Sequence, residues 1–175
     1  MKNITLLFLL VFFFPFVVFS QNINTEKSVI NFTAGTMGIF KVKGSFTGFS
    51  GTVNFNPDNL SASKIDVCID AKTVKSGNEK RDNHIKSEDF LSIEKYPNIC
   101  FVSTEITEKA DHYIAKGKLT IKETTHKVEI PLKYKNHQLT GNLDFQRLDY
   151  EVGENVGKFK AKDKISVFIQ CELEE

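Results

Sequence analysis

The stretch RDNHIKSEDFLSIEKYPNICFVST, residues 81–104, decides how the rest of the chain is read, because it is the one place where a simple alternating pattern is interrupted. Its first half reads as short helix. Asp82 is placed to cap one helical turn and Ser87 another by accepting backbone N–H bonds, and Glu88 and Asp89 follow where a helix N-terminus favours negative charge. Tyr96-Pro97 ends the helix, since proline has no N–H and biases the residue before it toward extended backbone. From Asn98 the chain enters a strand with Ile99, Phe101 and Ser103 on one face. A helical plug feeding a strand needs a fold around it.

On both sides of the plug the apolar residues recur with period two, the signature of strands with one buried and one wet face. Upstream lie a strand near Val29–Thr33, a long one from Phe40 to Phe55, and another from Lys64 to Thr73 that puts Ile65, Val67, Ile69 and Ala71 on one side. The long strand changes parity: Phe40, Val42 and Phe46 are even, Phe49, Val53 and Phe55 odd. Gly44, Gly48 and Gly51 are read as its bends, with the switch of face near Gly48. Downstream, alternation resumes through Asn98–Thr107, Tyr113–Ile121, Val128–Tyr134, Leu139–Phe145 and Ile165–Leu173. This predicts an all-β fold, an eight-stranded antiparallel barrel with the helical insert between strands 3 and 4. Closing the sheet removes its exposed edges, and eight strands enclose either packed side chains or room for one small ligand.

The N-terminus is set apart from that fold. Met1-Lys2-Asn3 is a short positive segment, Ile4–Phe19 is apolar apart from Thr5 and Pro15, and Phe19-Ser20-Gln21 resembles a signal-peptidase site. About sixteen apolar residues fall short of the roughly twenty that span a bilayer. Residues 1–20 are therefore expected to be a cleaved signal peptide, with residues 21–175 forming one domain that is periplasmic or secreted and has no stable membrane anchor.

Charge narrows the partners. The chain has 23 basic and 22 acidic side chains, a balance with no clustered positive excess, which argues against nucleic acid. Four histidines, His84, His112, His126 and His137, lie in separate segments without metal-ligand spacing, so no metal is expected. No serine elbow or cysteine nucleophile signature occurs, and GSFTGFSG precedes no helix, so it is no phosphate loop. Of three cysteines at least one is free; a Cys68–Cys100 bridge is open in an oxidising compartment, as is the alternative of three small buried residues. Arg81, Asp82 and His84 are the most suggestive polar group, either structural pins for the plug or a polar collar at the barrel mouth.

The run R-D-x-H-I-x-S-x-D-F, continuing through K-Y-P-x-I-x-F-x-S-T, resembles the hallmark of the YceI-like family of exported bacterial proteins. It is carried by Arg81, Asp82, His84, Ile85, Ser87, Asp89 and Phe90, then Lys95, Tyr96, Pro97, Ile99, Phe101, Ser103 and Thr104. Val42-Lys43-Gly44-Ser45-Phe46 with Phe49-Ser50-Gly51, Gly117-Lys118-Leu119-Thr120-Ile121 and Arg147-Leu148-Asp149-Tyr150 resemble further family segments. Two positions depart from the pattern: Ala34-Gly35 stands where a histidine is often found, and Glu123 where a glycine is usual. The resemblance implies a lipocalin-like barrel whose apolar tunnel holds a polyisoprenoid or a quinone-like lipid without turnover, with no cofactor and no enzymatic role. The inward row Phe46, Ile69, Phe101, Leu119, Ile130, Phe145 and Val167 is expected to contact the chain, with Arg81, Asp82 and His84 at a polar mouth. The rival readings are an enzyme acting on a lipid-linked substrate through Arg81, Asp82 and His84, and a fully packed barrel serving as a stress or adhesion module. Pairing into a homodimer stays open.

Overall fold

The computed structural model describes residues 21–36, 40–156 and 161–174; the expected signal peptide, residues 1–20, lies outside them. Nine antiparallel strands form one curled sheet: β1 (Val29–Gly35), β2 (Lys41–Phe46), β3 (Phe49–Asn54), β4 (Lys64–Asp70), β5 (Asn98–Lys109), β6 (His112–Ile121), β7 (Thr124–Lys135), β8 (Gln138–Gln146) and β9 (Lys164–Glu172). Their order is β2-β1-β9-β8-β7-β6-β5-β4-β3. The outermost strands, β2 and β3, are thus successive pieces of chain, and the sheet curls into a lipocalin-like barrel around its apolar face.

The count of nine, where eight were expected, comes from one place. The strand read as continuous from Phe40 to Phe55 breaks at Thr47-Gly48: β2 pairs with β1, and β3 pairs with β4. Gly48 sits at φ +71°, a backbone region that side chains with a Cβ enter only at a cost. The corner is tied to the end of β4, where the Asp70 N–H donates to the Gly48 carbonyl at 3.1 Å and the Thr47 N–H donates to Thr73 Oγ1 at 2.9 Å. With the extra strand counted, the helical insert falls between β4 and β5.

The insert itself is shorter than expected and is capped differently. Helix α1 spans Glu79–Lys86, and its N-cap is Asn78, whose side chain accepts the Arg81 N–H at 3.0 Å. Asp82 does not cap it, because its carboxylate is already engaged by Ser76. Ser87 ends the helix, its hydroxyl donating to the His84 carbonyl at 2.8 Å, and residues 87–96 continue as successive turns. Pro97 then releases the chain into β5, with Ile99, Phe101 and Ser103 turned inward as the alternation requires.

Two ends of the barrel are distinguishable. At one, which we call the mouth, β1 ends, β9 begins and α1 covers the opening. At the other, the base, Phe55 is 3% exposed and packs against Tyr113 and Tyr134, each with ring centroids 5.0 Å away. Residues 21–24 are stitched across this base. The Gln21 N–H donates to the Val53 carbonyl at 2.9 Å, Ile23 bridges Leu173, and the Asn24 N–H donates to the Glu172 carbonyl. Cys68 and Cys100 sit opposite each other on β4 and β5 and are joined by a disulfide, on the face away from Val67 and Phe101. Cys171 is free and buried.

Candidate functional site: an apolar cavity with a basic mouth

The interior is open rather than packed. A cavity of about 450 Å³ runs inside the barrel, and all seven side chains of the expected inward row, Phe46, Ile69, Phe101, Leu119, Ile130, Phe145 and Val167, line it. Each of these residues is placed by strand alternation, so the parity change at Gly48 is what lets both Phe46 and Phe49 reach the same interior. Lys162 lines the mouth end and Cys171 lies toward the base. The chain between them covers roughly 30 Å at strand rise, or about 23 Å along the axis at ordinary barrel tilt.

Polarity is confined to the mouth. Among the described residues that line the cavity, the polar side chains other than cysteine are Thr36, Arg81, His84, Arg147 and Lys162, and no carboxylate is among them. Four of these five are basic types, so the rim of an otherwise apolar cavity presents hydrogen-bond donors and positive charge.

Of the three polar residues expected at the mouth, Arg81 and His84 line the cavity and Asp82 does not. Arg81 donates through Nε to Ser76 Oγ at 2.8 Å and through Nη2 to the Ser76 carbonyl at 2.5 Å, leaving Nη1 without a hydrogen bond to any described residue. Asp82 takes the Ser76 N–H at 2.8 Å and also its hydroxyl. The Ser76 hydroxyl bond is the main reason that the Asp82 carboxyl titrates below the usual range. Arg81 and Asp82 therefore converge on Ser76, itself 9% exposed, and clamp the start of α1 to the barrel. His84 is turned elsewhere, with Nε2 3.3 Å from Asp89 Oδ2 and its ring edge-on to Phe90 at 5.0 Å.

Sequence reasoning passed over the most deeply engaged mouth residue. Arg147, 2% exposed, follows β8 and spends all of its guanidinium on backbone carbonyls. Nε donates to Lys162, Nη1 to Val152 at 2.5 Å and Gly153 at 2.7 Å, and Nη2 to Val156 and to Ala161 at 3.0 Å. It thereby gathers both arms of the segment that forms one side of the rim. The Arg147-Leu148-Asp149-Tyr150 run was a visible signal, but its partners are carbonyls, which any residue supplies and no motif marks.

Comparison with known proteins agrees with this architecture. The YceI-like domain model matches residues 21–173. Protein YceI of Salmonella arizonae is 32% identical over 139 residues, covering 79% of this chain and 70% of that protein. Among solved structures, BcnA of Burkholderia cenocepacia superposes with a TM-score of 0.78 at 24% identity, covering 86% of this chain and 98% of that one. A polyisoprenoid binding domain from Saccharophagus degradans, implicated in plant cell wall breakdown, superposes with a TM-score of 0.66 at 12% identity, covering 89% and 97%. At these identities the two structures bear on the fold.

Proposed function

Because the chain belongs to the YceI-like domain family, we propose that it is an exported carrier that binds one long-chain lipid of the polyisoprenoid class, its chain in the cavity and an acidic head group at the mouth. The observation that carries this reading is the lining, apolar along its length and basic only at one end. A lining of that kind matches an amphiphile with a single negatively charged head, such as a prenyl phosphate, entering tail first. The fold shared with the Saccharophagus polyisoprenoid binding domain supports the ligand class. Export rests on the N-terminal sequence, and the periplasm or the medium is the compartment it implies.

Magnitudes favour a long chain over a short one. Burying a methylene stabilises by about 0.8 kcal/mol, so one five-carbon unit contributes at most roughly 4 kcal/mol. Association costs between about 4 and 15 kcal/mol. Several units must therefore be swallowed before binding becomes useful, with the head group second in importance. A carrier rather than an enzyme is further supported by the commitment of both Arg81 and Asp82 to Ser76, which leaves His84 outside that pair.

Native protein recovered from an exporting host, extracted with organic solvent and analysed by mass spectrometry, tests the reading. We expect a prenyl lipid at one per chain, and tighter uptake of a prenyl phosphate than of the matching alcohol. Protein that is repeatedly empty and takes up neither compound would sink the proposal.

A further inference from the structure

We propose that Gln21 becomes an N-terminal pyroglutamate whose lactam caps the free edge of β3; this rests on the expected cleavage after Ser20. Two atoms of Gln21 are held by that edge. Its backbone N–H donates to the Val53 carbonyl at 2.9 Å, and its side-chain Oε1 accepts the Phe55 N–H at 3.2 Å. These two partners lie two residues apart, and alternate residues present their backbone groups to the same edge of a strand. The side-chain amide nitrogen of Gln21 makes no hydrogen bond to a described residue.

Cleavage would turn the Gln21 nitrogen into a primary amine, protonated below about pH 8. In its neutral form this amine attacks Cδ of its own side chain. A C–N bond forms between the α-nitrogen and Cδ, the bond from Cδ to the amide nitrogen breaks, and that nitrogen leaves as ammonia after taking one proton from the α-nitrogen. No oxidant, reductant or second substrate is consumed. The five-membered lactam keeps one N–H and one C=O, the two groups already engaged by Val53 and Phe55, and loses the nitrogen that is not engaged. It also removes an ammonium charge from beside Val53 and Phe55, which are 1% and 3% exposed, where a charge is poorly solvated. The chain start becomes a neutral clasp on a sheet edge that would otherwise offer unpaired groups to another strand.

The full chain, expressed in a host that exports it and held until its mass is constant, decides the matter by intact and peptide mass spectrometry. We expect residues 21–175 lighter by one ammonia, with the loss located on the N-terminal peptide. We also expect the Phe55 amide to be protected from hydrogen exchange, and a Gln21→Asn variant to show no ammonia loss and no such protection. A mature chain that begins at Gln21 and keeps the full glutamine mass overturns the lactam while leaving the cleavage intact. A chain that begins anywhere else overturns both.

Discussion

Arg147 is a buried cation solvated by the protein's own backbone. A charge removed from water is costly unless its hydrogen-bonding capacity is met. Here carbonyls of residues 152, 153, 156, 161 and 162 meet it. Arg147→Met should therefore leave several carbonyls without a donor and cost at least about 3 kcal/mol in chemical denaturation. Arg147→Lys should recover only part of that, because an ammonium cannot reproduce the planar fork. Tyr150, 2% exposed with a hydroxyl that has no hydrogen-bond partner among the described residues, makes a different prediction. Burial, helped by the nearby Asp149 charge, pushes its hydroxyl up to about 12, and burial pushes the Cys171 thiol up to about 11. Both groups hold their proton more tightly when folded than when unfolded. Their contribution is therefore complete below the unfolded values, about 9 for the thiol and 10 for the phenol. It is lost as pH rises through the folded ones, so stability should fall across pH 9–12. Tyr150→Phe should move the alkaline midpoint upward and raise Tm at neutral pH, since it deletes an unpaired buried hydroxyl worth about 1 kcal/mol. A pH series of thermal melts reads both effects.

At the scale of elements, the Cys68–Cys100 disulfide encloses α1 and its following turns in a loop with a sequence separation of 32. Closing a loop of that length lowers the entropy of the unfolded chain by an amount worth about 3–4 kcal/mol. Reduction should lower stability by that much, measured as the difference between melts with and without a thiol reductant at constant pH. Whether the two cysteines pair could not be read from the sequence, because it depends on the register that sets them opposite each other. What was legible was anything that period two controls. The faces of β4, β5 and β9 follow from Ile65-Val67-Ile69, Ile99-Phe101-Ser103 and Ile165-Val167-Ile169, and the change of face near Gly48 from a shift in parity. That this shift divides one strand into two lay beyond alternation, because β2 and β3 find different partners in space. The cap of α1 was misplaced for a related reason. Asp82 has the right chemistry for a cap, but Ser76 competes for its carboxylate and Asn78 takes the position.

For the molecule as a whole, the seven inward residues named from alternation all reach one cavity, whereas Arg147 and Lys162 joined the site only through a segment that returns after β8. Val167 lies on β9 with Phe32 and Leu143 as its cross-strand neighbours. A tryptophan there should fill the bore. Val167→Trp is expected to fold, judged by an unchanged far-ultraviolet circular dichroism spectrum, and to lose lipid uptake in native mass spectrometry, with occupancy falling from one per chain to near zero. The base sets a separate condition. Phe55, which directly follows β3, stacks on Tyr113 of β6 and Tyr134 of β7 beyond the base end of the cavity, so a chain entering from the mouth should be stopped there. Each carbon added before the wall is reached gains about 0.8 kcal/mol, and each one added afterwards stays in water and gains nothing. Affinity across a homologous series of prenyl alcohols should thus climb and then level off, and the carbon number at the break is the depth of the well. By stacking three rings at its foot, the barrel becomes a gauge that counts carbons.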